Sequence, residues 1–346
     1  MKEYVNCSLR EYNTFGIDVK AKRLVKYSSI SELLAFLDEY HHSTDSIPLL
    51  HIGGGSNLLF LADFPGIILY SEIKDIQILS ENEDSVLVSV GAGITHDDFI
   101  RYAIDNGWYA LENLSHIPGQ VGAAAVQNIG AYGIEAGDFI EAVQTISLVD
   151  GSEKIWSHDE LSYSYRHSIF KDDSTRGLYA VCHVHYLLFK RFTPYLDYGG
   201  LKDSLRRKRI SEKRLTANKV RDIIIETRRN KLPDPKDMGN AGSFFMNPIV
   251  ANDILQAIQV QYPNVPYYVV DSEHVKIPAG WLIEQCGWKG KAIGHAGVHD
   301  KQALVLVNRG GATGRDILTL CNAVQADVLK RFGINLAPEV NFIGRV

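Results

Sequence analysis

Lys231-Leu232-Pro233-Asp234-Pro235-Lys236-Asp237-Met238-Gly239-Asn240-Ala241-Gly242-Ser243-Phe244-Phe245-Met246-Asn247-Pro248 is the stretch around which the rest of the chain is organised. Pro233 and Pro235 lack a backbone donor and hold their predecessors extended, so the segment is a stiff loop and not a helix. Gly239 and Gly242 admit backbone angles that a side chain forbids, and let the chain approach a bound molecule closely. Ser243 closes the loop. A hydroxyl there is a hydrogen-bonding group in a turn, the commoner role, or a placed proton donor. Its function is readable only together with Gly53-Gly54-Gly55-Ser56-Asn57 and with the tail from Asn335 to Gly344.

Working outward, the 346 residues exceed what one core usually fills, so two or three domains are expected. A net charge of −5 argues against a general nucleic-acid binder. The four cysteines, Cys7, Cys182, Cys286 and Cys321, form no Cys-x-x-Cys pair, which speaks against a structural zinc or a disulfide scaffold and suits a reducing cytosol. The N-terminus has no signal-like apolar core, and no later segment approaches a membrane span. A cytoplasmic, monomeric protein without metal, membrane or nucleic-acid partner is expected.

Upstream of the central loop, the pattern predicts a helix over 31–40, capped by Ser29 or Ser31, with Leu33, Leu34 and Leu37 on one face. The apolar run 48–52 reads as a strand that enters the Gly53–Asn57 turn. Successive glycines after a strand leave N–H groups free to converge on a phosphate, although neither the Rossmann nor the P-loop spacing is present. Strands are expected over 66–70 and 86–90, and a helix over 96–106 with Phe99, Ile100 and Ala103 inward. From Ile117 to Gly133 small residues dominate. Close helix packing explains Ala123 to Ala125 but less well Gly119, Gly122, Gly130 and Gly133. Alternation predicts antiparallel strands over 140–149, 151–156 and 178–189. His183 and His185 share a face of the last, without a third ligand nearby. Arg166 is a carboxylate or phosphate fork, or a surface Arg.

From Arg206 to Lys231 there are eleven Lys or Arg against three acids. Val220, Ile223 and Ile224 mark a buried helix face there, so the charges form its solvated side. Helices are expected over 251–260 and 278–286, and a strand over 303–307. Thr313 and Asp316 form a capping box for a helix that Gly333 stops. His295 and His299 lack the intervening Glu and the helix of a metalloprotease motif. Glu339 follows a proline beside an apolar strand, a setting in which carboxylates are often half-buried.

The set Gly-Gly-Gly-Ser-Asn, Ile-Pro-Gly-x-x-Gly-Ala, Gln-Asn-Ile-Gly-Ala-Tyr-Gly, Tyr-Arg-x-Ser-Ile-Phe, Lys-Leu-Pro-Asp-Pro, Gly-Ser-Phe-Phe and Pro-Glu-Val, in this order from Asn13 to Gly344, resembles the UDP-N-acetylenolpyruvoylglucosamine reductase (MurB) family of peptidoglycan precursor synthesis. The segment 194–199, with Tyr198, and the run Gly297 to Leu304 are similar to its longer, type I branch. Met246 departs from the pattern, since many members carry a basic residue there.

The resemblance implies an α+β protein with a two-part FAD-binding region of the vanillyl-alcohol-oxidase/PCMH-like type and a C-terminal α/β substrate-binding domain. The expected division is 1–72 with 334–346 and then 73–230 for the two FAD-binding parts, and 231–333 for the substrate. It implies noncovalent FAD on Gly53, Gly54, Gly55, Ser56, Asn57, Pro118, Gly119, Gly122, Ala123, Asn128 and Gly130. NADPH is the implied reductant and UDP-N-acetylglucosamine enolpyruvate the implied substrate, on Tyr132, Tyr198, Lys231, Asn247 and Gln285. Ser243 takes the family's proton-donor position, with Arg166 and Glu339 beside the developing charge. Another flavin oxidoreductase of this fold would call for a covalent flavin or oxygen reactivity, and no His stands in the flavin loops to carry such a link. A non-catalytic nucleotide-sugar binder would be expected to lack Ser243, Arg166 or Glu339.

Overall fold

The computed structural model describes residues 1–43, 47–197 and 200–344. Contacts divide the chain into two compact units. The first is Met1–Cys7, Ala21–Gly54 and Pro65–Asn230, and the second is Ser8–Lys20, Gly55–Phe64 and Lys231–Val346. The segments 8–20 and 55–64 thus join the C-terminal part of the chain, which the sequence division did not separate out.

In the first unit a four-stranded sheet has the order Lys2–Ser8, Lys20–Tyr27, Phe64–Ser71, Leu49–Ile52, the last two parallel with Leu49 opposite Ile67. Helix α1 (Ile30–His42) starts at Ser29, whose hydroxyl accepts from Glu32 N. It buries Leu33, Phe36 and Leu37 against Val25, Tyr27, Ile67 and Leu69. Leu34, expected on that face, is exposed, because each residue turns 100° and the position after Leu33 swings away from the sheet. Phe36 takes its place.

A second, antiparallel sheet orders Glu153–Ser157, Ile140–Ser147, Tyr179–Phe189, Ser85–Gly91 and Ile76–Glu81. Along Tyr179–Phe189, buried Cys182, Val184, Tyr186 and Leu188 alternate with partly exposed His183, His185 and Leu187, the signature of a sheet with one covered face. Two helices help cover it, α2 (His96–Asp105) through Phe99, Ile100 and Ala103, and α3 (Val121–Gln127) through Val121 and Ala125. The short α4 (His158–Leu161) follows the edge strand. Beyond the sheet, α5 (Leu201–Arg207) and α6 (Ala217–Lys231) share a small core of Leu196, Leu201, Leu205, Val220, Ile223 and Ile224.

The second unit contains helices α7 (Asn252–Gln261), α8 (Ala279–Gln285) and α9 (Gly314–Phe332). Two three-stranded sheets accompany them, Ile249–Ala251, His274–Lys276, Tyr268–Val269 and Ala292–Ile293, Ala296–Val298, Leu306–Asn308. The strand expected over 303–307 begins only at Leu306, because Val305 N closes a turn onto Gln302 O. A parallel ladder pairs Leu58–Phe60 with Asn341–Ile343. The start of α9 is sealed by reciprocal bonds between Thr313 and Asp316, and its end by Gly333 at φ 68°. Gly314 is required, since a Cβ there would stand 1.9 Å from Phe60 O. Among the described residues no helix is long and apolar enough to cross a membrane.

Candidate active site

In the second unit the loop before Ser243 is built on Asn240, which is buried. Its Nδ2 donates to Met238 O at 2.8 Å and to Pro233 O at 3.3 Å, and its Oδ1 accepts from Gly242 N at 2.9 Å. Backbone passes tightly on either side: a Cβ at Gly239 would lie 2.1 Å from Phe15 O, and Gly242 holds φ 68°. Ser243 emerges half-buried, and among the described residues its hydroxyl makes no hydrogen bond. The next two residues, Phe244 and Phe245, are fully buried and anchor it.

Phe244 N donates to Leu304 O at 2.8 Å, while its carbonyl accepts from Glu339 N, also at 2.8 Å. Glu339 is therefore paired with Phe244, one residue beyond Ser243, in the short antiparallel bridge of Phe245 with Pro338. Its own carbonyl accepts from Asn57 Nδ2 at 3.1 Å, and Asn57 O accepts from Asn341 N at 3.0 Å. Three residues far apart in sequence, Asn57, Glu339 and Phe244, are thus tied by two hydrogen-bonded steps, with Ser243 next to the last. Glu339 is half-buried, as the sequence setting suggests. Asn247 Oδ1 accepts from Ala279 N at 2.9 Å at the start of α8, and Gln285 is that helix's last residue, roughly 10 Å of rise away. Lys231 is the exposed last residue of α6. Tyr198 lies outside the described residues.

In the first unit the two glycine-rich stretches meet. A Cβ on Gly53 would stand 2.8 Å from Ala123 Cβ, and one on Gly54 would stand 3.3 Å from Gly119 Cα. Gly119 itself holds φ 128°, a region close to glycine's alone. Gly53, Gly54 and Gly119 therefore present bare backbone, with Pro118 adjoining, which fits the close approach a dinucleotide requires. Gly55 has a different reason to be glycine: at φ 65° its Cβ would stand 2.0 Å from Tyr12 O, inside the second unit. A Cβ on Gly122 would stand 2.8 Å from Ala92 Cβ, so close packing of α3 explains this glycine.

Arg166 sits at φ 56° and donates from Nη2 to Gly130 O at 2.9 Å. Gly130 leaves it room, since a Cβ would reach within 2.9 Å of Nη1. Asn128, the left-handed cap of α3, spends its whole amide on Glu135, Ser164 O and Gly137 N. Tyr132 is half-buried, which raises its hydroxyl pKa, while the adjacent Arg228 guanidinium offsets part of that rise. Among the described residues no group of three or more His, Cys, Asp or Glu side chains could hold a metal ion.

A family profile described as the C-terminal domain of UDP-N-acetylenolpyruvoylglucosamine reductase matches residues 234–343, the part of the chain that carries Ser243 and Glu339. A second, described as an FAD binding domain, matches residues 21–157. UDP-N-acetylenolpyruvoylglucosamine reductase of Bacteroides fragilis is 51% identical over 336 residues, covering 97% of this chain and 98% of that one. The chain belongs to the UDP-N-acetylenolpyruvoylglucosamine reductase family. Family members of the same name from Porphyromonas gingivalis and Burkholderia multivorans are 44% and 41% identical, over 97% and 96% of this chain and 97% and 94% of theirs. The crystal structure of the MurB protein of Thermus caldophilus superposes with a TM-score of 0.66 at 22% identity, over 99% of this chain and 98% of that one, a shared fold.

Within this MurB-type framework, several residues that the sequence reading passed over hold the named ones. Gln120 is buried and ties the loop to Tyr70 Oη, Ser71 O and Gly93 O at 3.0, 3.3 and 3.1 Å. Lys171 donates to Arg166 O at 2.7 Å and to Gln127 Oε1 at 3.1 Å. Asn113 bridges Tyr132 O and Tyr195 O. Gln120 had a signal, a polar residue enclosed by Pro118, Gly119 and Gly122. Asn113 had none, since its partners are 19 and 82 positions away, and Lys171 had none because nothing in the local pattern turns its ammonium back onto Arg166 O. At the Met246 departure the backbone N bonds Ala337 O at 2.9 Å, an interaction indifferent to the side chain.

Proposed function

We propose that this chain is an NADPH-dependent oxidoreductase that reduces UDP-N-acetylglucosamine enolpyruvate to UDP-N-acetylmuramate with noncovalently bound FAD, a step of peptidoglycan precursor synthesis. The observation that carries the reading is the pairing of Glu339 with Phe244, the residue after Ser243, in a chain whose relatives share nearly its whole length. The chemistry FAD supplies when bound is hydride transfer, from NADPH to the terminal vinyl carbon of the enolpyruvyl ether. Gly53, Gly54, Gly55, Ser56 and Asn57 hold its diphosphate, and Pro118, Gly119, Gly122 and Ala123 with the segment to Gly130 line the rest. Asn128 contributes through its backbone, since its side chain is committed to the scaffold.

The protein's part is charge and proton. Hydride addition places negative charge on the substrate carboxylate, and Arg166 with Glu339 beside it stabilises it. Ser243 then delivers its Oγ proton to the carbon next to that carboxylate. A serine hydroxyl is a weak acid, so its alkoxide must be stabilised by neighbours, a role Lys231 can share. Tyr132, Tyr198, Asn247 and Gln285 hold the sugar nucleotide. Residues 1–72 with 334–346 and 73–230 serve FAD, and 231–333 serve the substrate. The reaction takes place in the cytoplasm, on a monomer.

The test is the visible spectrum during anaerobic NADPH addition, followed by the enolpyruvyl substrate. Bleaching and then recovery of the flavin band is expected. A chain that cannot be loaded with FAD would sink the reading, and bleaching without recovery would move it to another oxidant.

A further inference from the structure

The run Ile117-Pro118-Gly119, whose last two residues the proposed function gives to the flavin, is tethered at both ends to the start of α2. Downstream, His96 N donates to Gly119 O at 3.0 Å and Val121 N to Ile94 O at 2.9 Å. Upstream, the tether is His116, whose backbone lies at φ 60°, a left-handed conformation that costs a residue with a side chain some strain. Two side chains hold that strained residue. Asp97 Oδ1 accepts from His116 N at 2.5 Å, and Arg228 Nε donates to His116 O at 3.1 Å.

Asp97 is itself fixed by Arg221, which donates from Nη1 at 2.5 Å and from Nη2 at 2.8 Å to its two carboxylate oxygens. The side chains are only 11% and 23% exposed for Arg221 and Asp97, so this is not a loose surface pair. Arg221 and Arg228 are seven residues apart on α6 and share a face. Burial works to raise the Asp97 pKa, but the Arg221 fork and the His116 N–H hold the carboxylate below its ordinary value. Removing either partner leaves the other charge half-enclosed and the His116 peptide free to relax.

We infer that Asp97 and Arg221 are positioning residues for the cofactor loop, acting through the His116 peptide to set the backbone of Ile117–Gly119 on which the flavin rests. The inference rests on the reading that this loop holds FAD. It is tested on the full chain, stripped of flavin and titrated with FAD, by following flavin fluorescence, the visible band of the bound flavin and the melting temperature of the stripped protein. Asp97→Asn and Arg221→Gln should each weaken FAD binding about tenfold, and the double variant little further, because the two act as a unit. The bound flavin's band should shift toward that of free FAD. Arg221→Lys, which keeps the charge and loses the fork, should fall between and serves if the neutral variants fold poorly. Variants that bind FAD as the parent does, with an unaltered band, would overturn the inference and leave the FAD reading standing. A parent chain that takes up no FAD would overturn both.

Discussion

Replacing Asn240 with alanine should separate the two half-reactions. The side chain is 3% exposed and makes three hydrogen bonds, two of them at 2.8 and 2.9 Å. Alanine orphans Met238 O and Gly242 N–H, each of which costs about 1–2 kcal/mol when enclosed, for a loss of about 2–4 kcal/mol. For a unit of this size that corresponds to a fall in melting temperature of about 4–16 °C. Gly242 would then no longer be held in its left-handed conformation, and Ser243 follows it directly. A displacement of about 1 Å at a reacting group lowers the rate about 10²-fold. Stopped-flow measurement should therefore show NADPH bleaching the flavin at close to the parent rate, while reoxidation by the enolpyruvyl substrate slows by about 10². Asn240→Asp keeps the acceptor for Gly242 N–H but sets a carboxylate against two carbonyls, so it should be no milder. If reoxidation is as fast as in the parent despite the lowered melting temperature, Asn240 does not place Ser243, and the geometric argument for the acid fails.

Ser243→Ala should still be bleached by NADPH but lose reoxidation by the enolpyruvyl substrate; normal turnover would mean another acid. Arg166→Lys keeps the charge without the fork and should lower the substrate half-reaction by about 10²-fold in the same assay. Gly55→Ala would put a Cβ 2.0 Å from Tyr12 O at φ 65°, a penalty of about 2–5 kcal/mol, read as a lowered melting temperature or lost soluble protein. Glu112, 4% exposed, is pushed up by burial from 4.5 to about 7, against bonds from backbone N–H groups including that of Ala110. The folded chain therefore keeps a proton that the unfolded chain releases between those values. Its contribution is full below the lower value and is lost as pH rises through the upper one, by about 3 kcal/mol. Glu112→Gln should flatten this part of the profile, measured as denaturant midpoints at pH 5 and pH 8.

Where periodicity and caps agree, the elements could be read directly from residues. Thr313, Asp316 and Gly333 bound α9, and its apolar stripe from Ile317 to Val328 lies in the core. The strand Lys2–Ser8 was illegible because it is exposed along nearly its whole length, so no face is marked by apolar residues. Lys20–Tyr27 hides behind four basic residues, Lys20, Lys22, Arg23 and Lys26, none of which is buried. Among the glycines, Gly119 reflects backbone angle, while Gly55, Gly122 and Gly314 answer to Tyr12, Ala92 and Phe60, partners that local sequence does not announce. The same distance concealed Asp97 and Arg221, which are 124 positions apart. Ser243 and Glu339 were identifiable as types of chemistry, but that their segments pair depends on Phe244 bonding Leu304 and Glu339, which no local pattern announces.

The ladder between Leu58–Phe60 and Asn341–Ile343 sets a schedule for synthesis. Asn57 waits for Glu339 across 282 positions, on the order of 15–60 s at ordinary elongation rates. Throughout that interval Leu59 and Phe60, which finish fully buried, have no partner strand. The second unit can close only when Asn341–Ile343 has left the ribosome, so a nascent chain stalled before Asn341 carries an exposed apolar edge open to chaperones or to its neighbours.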